Sequence, residues 1–243
     1  MKKHLCKQRK YIGIFMLTLL LGGLINHFST YNLLHLQNTS FLSNSKDVQE
    51  ENFVQNVNFS NIESEKIRST FISVWQKYSQ LHDFQIQLVM QEISGSTMQA
   101  QPIITLCSLL SGKKRYQINI NPHLKGAKDL KVNQLPKDAL EGWFAHELGH
   151  LVDYKQHSNV EMIWYGLKYY FSSTAKKTVE YDADYIAIAN GFKSEIIAMK
   201  KYILENEEVS ISYKDKIKNF YLPREEVMVC AEDKDLLQLY LSM

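Results

Sequence analysis

The stretch GWFAHELGHLVDY, residues 142–154, sets the tightest limit on what this chain can fold into. Read as a helix turning about 100° per residue, it gathers Leu140, Phe144, Leu148 and Leu151 into one apolar stripe, while His146 and His150 point roughly the other way. Such a helix needs a core against one face and, on the other, something that satisfies two imidazoles one turn apart. Glu147 lies beside the first of them. Two histidines four residues apart can present both rings to one metal ion, and a neighbouring glutamate is placed to hold a water molecule and take its proton. With zinc as that ion, which polarises a carbonyl and makes its water acidic, the pattern is that of peptide hydrolysis. The plainer reading is a helix that happens to carry two histidines.

Composition leaves room for one domain. The chain has 243 residues, 45% of them hydrophobic, enough for a single good-sized core. Lys plus Arg number 28 against 26 Asp plus Glu, and no basic stripe interleaved with aromatics occurs outside the N-terminus, so no nucleic-acid partner is expected. Cys6, Cys107 and Cys230 are too few and too scattered for a disulfide framework; a Cys107 to Cys230 bridge and buried free thiols both stay open.

The N-terminus bears on location. MKKHLCKQRK supplies Lys2, Lys3, Lys7, Arg9 and Lys10, an apolar run follows from Tyr11 to Ile25, and no further Lys or Arg occurs before Lys46. The positive-inside bias keeps the N-terminus in the cytoplasm and exports the rest. The run has signal-peptide length and reaches spanning length only with residues 26–28. No small-x-small cleavage site follows it. Residues 1–28 therefore read as an uncleaved signal anchor, with membrane contact through residues 11–28, or as a cleaved signal that leaves the protein secreted or periplasmic. Residues 29–60, rich in Asn, Ser, Gln and Glu, read as a flexible tether, and residues 61–243 as the functional domain.

Within that domain, Ile67, Phe71, Val74, Trp75 and Tyr78 repeat with helical spacing. QIQLVMQEI (85–93), PIITLCSLL (102–110) and RYQININ (115–121) read as strands, with SGSTMQAQ (94–101) and SGKK (111–114) as turns. Pro136 suits a first helical turn. From there the pattern predicts helices over 137–157, 159–171, 177–190 and 193–206, and a last pair near 212–241. The outline is α+β: a small antiparallel or mixed sheet followed by a helical bundle that carries HExxH.

A third ligand is sought in TVEYDADYIAIANGF (178–192), where Glu180 and Asp184 share one helical face. Asp153 and His157, on the His146 face, are rivals, although His157 lies too far along a straight helix to meet the histidine pair's metal. HExxH followed by ExxxD resembles the gluzincin metallopeptidases, above all the HtpX and CAAX prenyl endopeptidase group. That resemblance implies a zincin-like fold and a zinc endopeptidase acting on peptide or protein substrates. It implies His146, His150 and Glu180 as zinc ligands, Glu147 as general base, and Asp184 as the hydrogen-bond partner of a liganding histidine. It also implies an edge strand beside the site, for which RYQININ is the choice, pairing with extended substrate. The family's His-Pro segment and later Arg are missing. NFYLPREEV (219–227) puts Tyr221 at the histidine position and Val227 at the arginine position, leaving Tyr221 or Arg224 to stabilise the oxyanion. No exopeptidase signature is present, so internal cleavage is expected outside the cytoplasm. The missing segment also motivates an alternative, a zinc-stabilised, catalytically weak or inactive scaffold domain tethered to the membrane. Trp143 fits a pocket wall or the core, and His123 a substrate contact at a strand end or an ordinary loop position. The aromatic run IWYGLKYYF (163–171) fits a roof over the site, a membrane-interface helix or an ordinary packed helix.

Overall fold

The computed structural model describes residues 56–127 and 129–243; the anchor or signal read over 1–28 and most of the tether lie outside the described residues. In chain order the elements are β1 (Val57–Ser60), α1 (Glu65–Trp75), β2 (Gln85–Met90), β3 (Met98–Pro102), α2 (Leu106–Ser111) and β4 (Arg115–Ile120). Then come α3 (Lys137–Tyr154), α4 (Asn159–Phe171), α5 (Ser173–Ala189), α6 (Lys193–Glu205), α7 (Ile211–Phe220), α8 (Arg224–Cys230) and α9 (Lys234–Leu241). A small sheet followed by helices is the α+β arrangement expected. The sheet is mixed, in the order β1-β2-β4-β3, with β1 and β4 parallel to β2 and β3 antiparallel to β4.

Three local expectations are corrected. PIITLCSLL is not a strand. The Thr105 hydroxyl accepts from the Ser108 amide at 3.1 Å and the Ser108 hydroxyl from the Thr105 amide at 2.7 Å, a reciprocal cap that starts α2 inside the apolar run. Gly112, at φ 68°, ends that helix in the left-handed region. The strand lies instead at Met98–Pro102, in the segment read as a turn, where Met98 and Ala100 face inward and Gln99 faces out. The tether reading runs too far, because Val57–Ser60 forms β1 and pairs in register with Ile86–Val89. Cys107 is exposed on α2, Cys230 is buried in α8, and both are free thiols, so no bridge joins them.

Helix boundaries shift where caps intervene. Ser172 caps the Ala175 amide and starts α5 four residues earlier than expected, and α3 ends at Tyr154. The C-terminal stretch holds three helices, because Pro223 opens α8 and the Asp233 carboxylate caps the Leu236 amide of α9.

Helix α3 is the centre of the described residues. Its expected stripe, Leu140, Phe144, Leu148 and Leu151, is fully buried, and Phe71 of α1 meets Phe144 edge to face at 5.3 Å. The other face is buried as well, because two glycines remove the bulk that would hold neighbours away. A Cβ at Gly142 would lie 2.2 Å from the Glu195 carbonyl oxygen of α6, and one at Gly149 would lie 2.4 Å from the Ala183 carbonyl oxygen of α5. These approaches seat α5 and α6 against the histidine side of α3. Among the described residues no helix is long and apolar enough to cross a membrane.

Candidate metal centre

Gly149 decides where Glu180 goes. With α5 pressed against α3 at Ala183, the residue three places earlier on α5 reaches the histidine pair. His146 Nε2 lies 3.1 Å from Glu180 Oε2, His150 Nε2 lies 3.6 Å from the same oxygen, and the two Nε2 atoms are 3.1 Å apart. All three side chains are buried. Donors held ~2.0–2.1 Å from a tetrahedral ion lie roughly 3.3 Å from one another, so the three atoms have the spacing of one metal's coordination shell.

The donor chemistry fits a cation. Two imidazole nitrogens aimed at each other and at one carboxylate oxygen are satisfied together by a positive ion, whereas protons satisfy them only in pairs. Burial alone would lower the pKa of His146, but hydrogen bonds to Asp184 and Glu180 outweigh it and push it up to about 10. Burial works against ionised Glu180 too, yet the two histidines hold it well below the usual carboxylate range. The pocket thus favours positive charge between these side chains. Among the described residues, His146, His150 and Glu180 form the one group able to hold a metal ion.

The surrounding side chains fix this geometry. Asp184 Oδ1 lies 3.0 Å from His146 Nδ1, and its other oxygen accepts from Lys200 Nζ at 2.6 Å and from the Leu222 amide at 3.1 Å. Lys200 is itself buried and also donates to the Leu222 carbonyl at 2.5 Å. One carboxylate therefore ties His146 to α6 and to the segment that carries Tyr221. The Tyr169 hydroxyl of α4 donates to Glu180 Oε1 at 2.5 Å, leaving Oε2 toward the histidines. Tyr154 stacks on His150 at 5.9 Å, while His150 Nδ1 is buried without a hydrogen-bond partner among the described residues.

Glu147 lies beside the trio and is held by backbone. Its Oε2 accepts from the Ala100 amide at 2.6 Å. Burial raises its pKa, against the opposing pull of His150 and His146. This contact also relocates the edge strand: β4 lies between β2 and β3, so RYQININ is interior and β3 is the edge beside the site. Thr97 and Ile103 bond across to β4, which turns the Ala100 amide outward to Glu147.

Tyr221 comes to the site and Arg224 does not. The Tyr221 ring lies 5.1 Å from that of His146 and shares a cavity with Glu147, Trp143, Met199 and Tyr213. Burial holds its hydroxyl protonated, well above the ordinary tyrosine range. Arg224 is exposed at the start of α8, whose buried positions are Val227 and Cys230, and it is not in the cavity that Tyr221 shares with His146 and Glu147. Asp153 pairs with His157 at 3.7 Å and accepts from the Tyr165 hydroxyl, so neither rival ligand joins the group. His123 lies in a loop whose backbone bridges to Lys131. Lys200 carries no motif, but it breaks an apolar series with Ile196, Met199 and Ile203 on α6. A lysine at a core position is the signal that would have found it. No protein-family model matches the chain, and neither does any curated protein or any solved structure.

Proposed function

We propose that the chain is a zinc-dependent endopeptidase of gluzincin type, zincin-like in fold, that cuts peptide or protein substrates outside the cytoplasm. The observation that carries this reading is the convergence of His146, His150 and Glu180 with Glu147 fixed beside them. Two imidazoles and one carboxylate are a donor set that suits zinc and leaves a fourth position for water or substrate. Zinc bound there would polarise the scissile carbonyl and render a water molecule acidic. Glu147, oriented by the Ala100 amide and raised in pKa by burial, takes the proton of the attacking water and passes it to the departing amine. Asp184 keeps the His146 proton on Nδ1, so that Nε2 presents its lone pair. The Tyr221 hydroxyl donates to the oxyanion of the tetrahedral intermediate, in place of a histidine. Substrate pairs in extended form along the outer edge of β3. Residues 11–28 attach the chain to the membrane.

One observation favours a second reading, a zinc-stabilised scaffold with little or no catalysis: His146, Glu147, His150 and Glu180 are all buried in the present conformation. Digestion of a peptide mixture by the full chain, read by mass spectrometry, separates the two. The endopeptidase predicts internal cuts that a chelator stops and that Glu147→Gln abolishes while the metal stays bound. Metal-loaded protein that cuts nothing points to the scaffold, and cutting by Glu147→Gln overturns the proposed base.

A further inference from the structure

Helix α4 has two faces with different destinations. At about 100° per residue, Met162, Tyr165 and Tyr169 fall on one side. Met162 is buried there, Tyr165 donates to Asp153, and Tyr169 reaches Glu180. Val160, Ile163, Trp164, Leu167, Tyr170 and Phe171 fall on the opposite side, five of them exposed and Leu167 half-buried. Trp164 is 64% exposed and Tyr170 77%. Beside the first turn of α4, α2 exposes Leu106 and Leu110 and is held there by Asn159, whose amide donates to the Ser108 and Lys113 carbonyls. Soluble surfaces rarely keep so many large apolar side chains together without a partner.

We propose that the outward face of α4 docks on the surface of a lipid bilayer, seating the metal centre next to it. The proposal rests on the reading of residues 11–28 as membrane-attached. Three observations favour a bilayer over other occupants. A helix of 13 residues is about 20 Å long, too short to span but suited to lie in the interface. The stripe mixes aliphatic side chains with Trp and Tyr, the residues that settle at headgroup level, and the exposed Lys168 on the helix and Lys113 beside its first turn stand against a single acid on the helix, Glu161. The chain itself supplies proximity: residues 29–55, at most ~95 Å even fully extended, join the apolar run to the folded unit at Asn56. Tethering of that kind raises the effective concentration of the face at the bilayer, so a weakly binding stripe suffices. Because Tyr169 of the same helix touches Glu180, docking puts the metal centre directly beneath the interface, and its substrates are polypeptide segments held close to the bilayer surface.

Trp164 is its own reporter, because Trp75 and Trp143 are buried. The full chain is reconstituted in vesicles of phosphatidylcholine with a quarter phosphatidylglycerol, with and without brominated acyl chains, and tryptophan emission is read together with flotation of the vesicles. Docking predicts quenching by the brominated lipid that disappears in Trp164→Phe and is lost in Ile163→Glu/Tyr170→Glu, a pair of exposed positions, with aqueous iodide reaching Trp164 only in the latter. A chain that floats while iodide, not brominated lipid, quenches Trp164 keeps the membrane attachment and overturns docking. Shielding of Trp164 from both quenchers means that a second copy or another part of the chain covers the face, which also overturns it. Failure to float overturns docking and attachment together.

Discussion

Replacing Gly149 by alanine should damage the metal centre from behind. The new Cβ would lie 2.4 Å from the Ala183 carbonyl oxygen and 3.0 Å from its Cα, both backbone atoms that cannot rotate aside. Restoring ordinary contact moves α5 away from α3 by about 1 Å. Glu180 rides on α5, so its 3.1 Å approach to His146 would open to roughly 4 Å, beyond the ~3.3 Å spacing of a tetrahedral shell. Alanine's helix preference returns ~1 kcal/mol, against about 1–3 kcal/mol for overpacking, so the metal-stripped protein should be destabilised by up to ~2 kcal/mol. Metal affinity should fall at least the ~10–100-fold that disturbed ligand orientation costs. Urea titration of stripped protein and competition against a chromophoric chelator read the two effects. Gly166→Ala is the matched control: its Cβ meets nothing within 4 Å, so the same exchange in α4 should stabilise by up to ~1 kcal/mol and leave metal affinity unchanged. Wild-type stability and affinity in Gly149→Ala would refute the close crossing as the cause of ligand convergence.

Lys200→Met strips the buried Asp184 carboxylate of its lysine, leaving His146 and the Leu222 amide as its partners, and should cost about 1.5–3 kcal/mol in urea titration, with part of the loss recovered when Asp184→Asn is added; a cost under ~1 kcal/mol contradicts the pairing. For metal-stripped protein the titrating groups act with opposite signs. Glu180 and Asp184 are held below their ordinary 4.5 and 3.8, so their stabilisation is present above those values and is lost as pH falls through the lowered ones. His146, raised from 6.5 to about 10, stabilises fully below 6.5 and loses that contribution as pH rises to 10, and Glu147, raised above 4.5, adds to the decline with rising pH. The denaturation midpoint should therefore peak in mildly acid solution and fall on both sides, and a midpoint still rising between pH 7 and 10 would contradict these assignments. Arg224→Ala should change stability by less than ~0.5 kcal/mol and leave metal content unaltered, since the side chain is exposed and is not one of the three donors.

What the sequence shows most clearly is what is encoded within a few residues. The stripe on α3 and the repeat of Ile67, Phe71 and Trp75 on α1 are local periodicities, and both are buried as read. His146 and His150 stand out because their spacing has few other uses, whereas Glu180 is singled out from Asp153 and Asp184 only by the family resemblance, and the three converge. The failures are of another kind. The cap between Thr105 and Ser108 converts an apolar run that suits a strand into α2, a choice made by two hydroxyls. Strand β3 is hidden because its glutamines alternate with Met98, Ala100 and Pro102, none of them β-branched or aromatic, and its place is fixed by β4 on one side and by the Glu147 contact on the other. Lys200 and Tyr169 meet the site from α6 and α4 through helix crossings that no short window of sequence contains.

The most direct measurement is metal content per chain after dialysis of the full protein against a weak chelator, wild type beside Glu180→Ala. One zinc per wild-type chain and little in the variant is the predicted result, since Glu180 supplies the third donor of the buried trio. Zinc retained equally by both, or by neither, would contradict a metal centre built from His146, His150 and Glu180.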